Sequence, residues 1–260
     1  MDNSVYSAMF GAMCNEMRMD TIANNLANVN TTAYKKDQVA FHDTFQRFAH
    51  DNLLDSKTYL RDRELWPRAD VMVRPRLSDQ AVDFSQGSLQ VTGNPLDLAL
   101  TGDGFFKVRT PDGDYLTRSG SFQLSSDGRL FTEQGFEVLG GGGPVNLPTG
   151  STVQIDRTGQ IRVDDEVVGA LDVVDVSDHK ALEKKGNNLY GIKDGSGATE
   201  QPPTNVSVEQ GSLEKANVEV VTEMVAMIET QRSFEMYTKV MQSSREADTQ
   251  VATKVSNVNG

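Results

Sequence analysis

One cysteine, Cys14, is the only thiol in 260 residues, so no intrachain disulfide can form and no thiolate metal cluster can be assembled. Cations are also scarce. Against 37 Asp and Glu the chain sets 25 Lys and Arg, a formal charge of −12. Binding a polyanion rests on clustered cations that neutralise phosphates, so a simple nucleic-acid partner is excluded. An acidic membrane surface is disfavoured for the same reason. Apolar runs are broken by charges well short of the roughly 20 residues a spanning helix needs, so no membrane insertion is expected. The opening, MDNSVYSAMFGAMCNEMRMD, has neither a basic start nor an unbroken apolar stretch, and no cleavable signal peptide is read there. The histidines, His42, His50 and His179, form no HExxH motif and no pair three or four residues apart, which leaves a histidine-led metal site without local support.

What is present is unevenly distributed. Of 22 glycines, 20 lie from Gly87 to Gly211, and no proline precedes Pro67 or follows Pro203. Both residues favour turns over helix interiors, so the two ends are built differently from the middle. Methionine shows the reverse: nine of ten lie near the ends, from Met1 to Met19 and from Met224 to Met241, with only Met72 between.

At the first end Val5, Met9, Ala12, Met19, Ala23, Leu26 and Val29 recur at helical spacing, and at the last Val220, Met224, Met227, Phe234, Tyr237, Met241 and Val251 do the same. A closing helix from about Val218 to Val255, with Asn217 as N-cap, is on the order of 55 Å long at 1.5 Å per residue, too long for the interior of a compact domain. Between the ends, short β-branched and aromatic runs separated by Asp-Gly pairs predict antiparallel strands. They are Phe105 to Thr110, Asp114 to Arg118, Arg129 to Thr132, Gly135 to Leu139, Gln160 to Val163 and Val167 to Val176. Residues 41–86, with the charge-dense run LRDRELWPRADVMVRPRL, read as a short helix followed by an extended arm. The expected fold is thus α+β, with long terminal helices of coiled-coil character flanking a mainly antiparallel β domain. It is divided into an N-terminal helical assembly segment (1–40), a variable arm (41–86), a β domain (87–211) and a C-terminal helical assembly segment (212–260). The run QGSL occurs at Gln86 to Leu89 and again at Gln210 to Leu213, marking both edges of the glycine-rich block.

A helix with a wide apolar stripe must bury it against something, and adaptable methionines suit a surface that meets several slightly different neighbours. Pairing of the two helices within one chain and packing between subunits both remain open on periodicity alone. The candidate assembly residues are Met9, Met13, Asn24, Asn25, Leu26, Asn28, Val29, Val221, Met224, Val225, Ile228, Phe234, Tyr237 and Met241. The asparagines are included because amides at a packed seam fix register.

Chemistry is harder to find. Gly140 to Gly143 suggests a phosphate-cradling loop, but no GK[ST] follows and a turn is the better reading. Asp164, Asp165 and Glu166 read as a solvated hairpin tip, with a carboxylate pair for glycan hydrolysis as the alternative. Cys14 fits a small apolar filler. No catalytic, cofactor-binding or metal-binding residue is assigned.

The run IANNLANVNTTAYKKDQVAF (Ile22 to Phe41) resembles the N-terminal signature of the bacterial flagellar basal-body rod and hook protein family. GNPLDLALTGDGFFKV (Gly93 to Val108) and YLTRSGSFQLSSDGRLFTEQGFEVLG resemble its central segment, and GSLEKANVEVVTEMVAMIETQRSFEMYTKVMQ (Gly211 to Gln242) its closing helix. The resemblance implies a non-enzymatic axial subunit of the basal body, without cofactor. It further implies export through the flagellar type III apparatus and assembly with itself and other rod and hook subunits through terminal helices that form an inner tube. The opening MDNSVYSAMFGAM is similar to proximal-rod members, with distal-rod members as the alternative. Ala33 stands where relatives often carry Gly, so a turn with positive φ there would strain it. A glycan-remodelling enzyme and a soluble coiled-coil adaptor are the readings from other classes.

Overall fold

The computed structural model describes residues 2–47, 71–148, 153–164 and 166–258. The chain opens with α1 (Asp2–Ala27) and closes with α2 (Val220–Val258), and strands occupy the stretch between them. Two compact units are formed: one from Met1–Asn24, Asp37–Ala81 and Val221–Gly260, the other from Asn25–Lys36 and Val82–Val220.

In the first unit, α1 turns a seam of small residues inward. Ala8, Gly11 and Ala12 are buried on one face, and Ile22 continues it. Gly11 lets the Tyr237 ring of α2 lie close at that seam: a Cβ there would meet the ring at 2.6 Å and displace it. At 39 residues α2 spans about 58 Å by the α-helical rise. The same unit holds a two-stranded sheet of β1 (Asp37–Arg47) and β2 (Val71–Val82). Strand β2 falls within the expected extended arm; of the residues ahead of it, 41–47, expected to open the helix-then-arm segment, belong to strand β1, and 48–70 lie outside the described residues.

The second unit is the antiparallel body. Its largest sheet runs β15 (Leu182–Gly186), β16 (Leu189–Ile192), β6 (Gly113–Thr117), β5 (Phe105–Thr110), β9 (Glu137–Gly140), β8 (Leu130–Thr132) and β7 (Phe122–Leu124). Strand β14 (Val173–Val176) shares the free side of β5 with β9: Val174 faces Phe105 and Val108 faces Val138. The start of β5 is buried on both faces, so successive phenylalanines serve different clusters. Phe106 packs edge-on against Phe122 at 5.2 Å, in a core with Leu98, Leu100, Val138 and Ile161. Phe105 joins Leu116, Val176 and Tyr190. Beside this sheet lie β11 (Val153–Ile155), β12 (Gln160–Val163) and β13 (Glu166–Ala170), paired in that order.

The expected strands at Phe105 to Thr110 and Gln160 to Val163 coincide with β5 and β12. The single strand expected from Val167 to Val176 is instead two, because the chain changes partners at Leu171 and Asp172. Leu171 N–H donates to Gly159 O at 2.8 Å and Asp172 N–H to Leu139 O at 3.0 Å, which hands the chain from one sheet to the other. The glycine run is a two-residue hairpin from β9 into β10 (Gly143–Pro144), with φ of 62° at Gly141 and 85° at Gly142. Its two amide N–H groups donate to the Asp172 carboxylate at 2.9 and 3.1 Å, so the anion this loop cradles is the chain's own.

The two QGSL runs mark neighbouring edges. Strand β3 (Leu89–Val91) pairs antiparallel with β19 (Ser212–Glu214), and β4 (Leu98–Thr101) with β18 (Ser207–Gln210). The body thus begins and ends side by side. Helix α1 closes through tight turns, with Asn28 N–H donating to Asn25 O at 3.2 Å and Thr31 N–H to Asn28 O at 3.0 Å. Ala33 follows at φ 55° and 0% exposure, the left-handed conformation in which a side chain is strained. Ala33→Val, which puts a β-branched side chain into a strained and filled position, is expected to cost about 3 kcal/mol. Ala33→Gly should stay within about 1 kcal/mol of the parent. Urea unfolding of the two variants checks the pair.

Candidate assembly site

Two segments lead to the helices: residues 28–36 follow α1, and residues 212–219 precede α2. They meet in the second unit around one carboxylate. Glu214 is 1% exposed and lies between Lys35 (0%) and Arg118 (3%). The Lys35 ammonium donates to Glu214 Oε1 at 2.6 Å and to Ser85 O at 2.7 Å. Arg118 Nε donates to Glu214 Oε2 at 3.0 Å, and its remaining N–H groups reach the carbonyls of Leu100, Gly102 and Gly104. Gly87 N–H adds a third tie to this carboxylate, at Oε1 and 2.8 Å. Gly87 lies so close to this segment that a Cβ would meet Lys215 O at 2.0 Å. Burial pushes the Lys35 ammonium below its ordinary pKa, against the opposing pull of Glu214. A charge at that depth requires both its carboxylate and its carbonyl partner.

The connector after α1 is tied along its length. Thr32 O accepts from Asn188 Nδ2 at 3.0 Å, Ala33 N–H donates to Glu214 O at 2.8 Å, and Lys35 O accepts from Lys184 Nζ at 2.7 Å. That ammonium stands 4.3 Å from the centre of the Tyr34 ring. Lys36 N–H donates to Asn217 Oδ1 at 2.8 Å, and Asn217 Nδ2 donates to Asp83 O at 2.8 Å. Asn217 is therefore a cross-link between segments, where helix capping was expected, and α2 begins at Val220.

The candidate assembly residues divide into three groups. Met9 and Met13 on α1, and Val221, Met224, Val225 and Ile228 on α2, are exposed, Val221 to 70% and Ile228 to 52%. The α2 group is spaced three, one and three, a single apolar stripe facing away from the chain's own packing. Asn24 is exposed as well, while Leu26, Asn28, Val29, Phe234 and Met241 are half-buried. The third group is engaged within the chain. Asn25 is 2% exposed and its amide oxygen accepts from the Tyr34 hydroxyl at 3.2 Å, and Tyr237 lays its ring on Gly11. Large exposed residues of the two helices outside the candidate set are Tyr6, Met17, Met236 and Val240.

Sequence reasoning also passed over Lys35, Arg118 and Glu214 as site residues. Each lies in an ordinary-looking polar run, AYKK, TRSG or GSLEK, and nothing local distinguishes it from the exposed charges beside it. Asp164 and Glu166 lie exposed at the turn from β12 to β13, and Asp165 lies outside the described residues. His179 sits half-buried against Phe84 and Phe105, with Nε2 3.0 Å from Asp175 Oδ1. No helix is long and apolar enough to cross a membrane, and no group of three His, Cys, Asp or Glu is placed to hold a metal, among the described residues.

The class of protein follows from three matched regions. Residues 6–35 match the flagella basal body rod protein model, 99–163 the flagellar hook protein FlgE/F/G D1 domain, and 209–255 the flagellar basal body rod FlgEFG protein C-terminal model. The chain is 31% identical over 261 residues to flagellar basal-body rod protein FlgF of Caulobacter vibrioides, covering the whole of both chains. It is 33% identical over 256 residues to the rod protein FlgG of Buchnera aphidicola subsp. Schizaphis graminum, covering 93% of this chain and 95% of that one. Against FlgG of Bacillus subtilis it is 32% identical over 257 residues, covering 94% and 95%. The chain belongs to the flagellar basal-body rod protein family, and it is a structural subunit of the rod in the flagellar basal body. Lys35, Arg118 and Glu214 come one from each of the three matched regions.

Glu214→Gln leaves two buried cations facing a neutral amide and is expected to cost about 3–5 kcal/mol. Lys35→Met, which leaves Arg118 paired with Glu214, should cost about 1–3 kcal/mol. Chemical denaturation followed by far-ultraviolet circular dichroism measures both, and equal losses would contradict the central place given to Glu214.

Proposed function

We propose that this chain is a proximal-type rod subunit that polymerises through its terminal helices into an inner tube of coiled-coil character. It assembles with itself and with other rod and hook subunits, after export through the flagellar type III apparatus. It acts without catalysis or cofactor, and neither binds nucleic acid nor inserts into a membrane. The observation that carries the reading is the exposed stripe Val221, Met224, Val225 and Ile228 on a helix of a rod-family chain. Burying such side chains contributes about 1.5–3 kcal/mol each, which offsets the entropy of ordering the helices in the assembly. The buried ions at Glu214 tie the segment that follows α1 and the segment that precedes α2 to each other within the β body. The proximal assignment is supported by the opening residues and by the FlgF relative matched end to end.

The distal-rod reading is kept by the similar identity to FlgG relatives. Labelling the protein and locating it along isolated basal bodies separates the two, since a label at the outer end of the rod would refute the proximal assignment. For the assembly face, Ile228→Asp places an unpaired carboxylate where neighbours pack. It should lower rod formation roughly 100-fold while leaving the β body folded. Rods counted by electron microscopy of basal bodies give the readout, and normal numbers would refute the reading.

A further inference from the structure

We propose that the exposed methionines of the two helices form an oxidation site that controls assembly. Peroxide converts them to sulfoxides in the free subunit, and the oxidised subunit is kept out of the rod. The proposal rests on the assembly-face reading above. Its observations are the exposure and the placement of sulfur. Met9, Met13 and Met17 follow one another at four-residue steps on α1 with exposures of 39%, 50% and 44%. On α2, Met224 and Met236 are 49% and 60% exposed, whereas Met19, Met227 and Met241 are half-buried. Every sulfur atom of the chain lies outside residues 73–223. An oxidant that reacts with thioethers therefore alters the helical surface and finds no target in the β body.

The chemistry balances with hydrogen peroxide alone. A sulfur lone pair attacks one peroxide oxygen, the S–O bond forms as the O–O bond breaks, and the proton on the transferred oxygen passes to the departing hydroxide, which leaves as water; sulfur loses two electrons and peroxide gains them. The product is a polar hydrogen-bond acceptor in place of a soft apolar group, and burial in an apolar seam without a donor disfavours it. A dithiol-dependent sulfoxide reductase reverses the change while the subunit is free. Within the rod the same side chains are covered, so oxidation discriminates against subunits that have not yet assembled.

Two measurements test this. Peptide mass spectrometry of the purified full chain after graded peroxide should show Met9, Met13, Met17, Met224 and Met236 oxidised several-fold faster than Met19, Met227 and Met241, with the β-sheet circular dichroism unchanged. Equal rates for the two sets overturn the proposal. In cells whose only copy carries Met13→Gln, Met17→Gln and Met224→Gln, a neutral stand-in for the sulfoxide, rod number should fall roughly tenfold or more. The same positions changed to Leu should keep parental numbers and make new rods resistant to a peroxide pulse. Parental rod numbers in the Gln variant, or a loss as large in the Leu variant, overturn the proposal. Ile228→Asp keeps the two ideas apart: normal rods with that change sink the assembly face, whereas blocked rods alongside a tolerated Gln variant sink the oxidation site alone.

Discussion

Glu214 sits where an unpaired carboxylate would be costly, and the surrounding structure supplies a partner to each of its oxygens. Lys35 approaches from the connector after α1, Arg118 from the end of β6, and the Gly87 amide from the segment ahead of β3. None of these groups is near another in sequence: Lys35 and Glu214 are 179 residues apart. Desolvating three ionised groups is unfavourable unless every partner is in place. The cluster therefore forms only when the two ends of the body have closed on each other. This makes it a specificity device, since a β body with the wrong edge pairing leaves two buried cations without their acid.

The helices follow a different logic. Their inner seam is small and close: Gly11 admits the Tyr237 ring, with Ala8 and Ala12 on the same face. Their outer stripes are larger and exposed, from Met9 and Met13 on α1 to Val221, Met224, Val225 and Ile228 on α2. One helix face is packed within the subunit and another is left exposed. The two possibilities that periodicity left open, pairing within a chain and packing between chains, are compatible because they use different faces.

Much of this architecture was legible from residue types alone, because the positions of Gly, Pro and Met along the chain separate the helical ends from the strand-rich middle. Strands such as Phe105–Thr110 and Gln160–Val163 were visible because alternation and turns are local properties. The break between β13 and β14 was not, since it arises from Leu171 and Asp172 bonding to distant carbonyls. Asn217 carries a helix-cap signal, yet its amide is taken by Lys36 and Asp83, partners that only the closed body brings within reach. Asn25 followed the helical pattern of its neighbours but lies against Tyr34, which the turn through Ala33 swings back onto it. The ion cluster was hidden for the same reason: a charge in AYKK and another in GSLEK have no local relation.

The tied connector from Thr32 to Lys36 bears on how the subunit responds to load. Its ties reach several different segments, at Asn188, Glu214, Lys184, Asn217 and Asp83. Tension along this backbone is thereby spread over bonds to several segments of the second unit. A connector held at that many points has little slack to release, which suits a rod better than a stretchable tether.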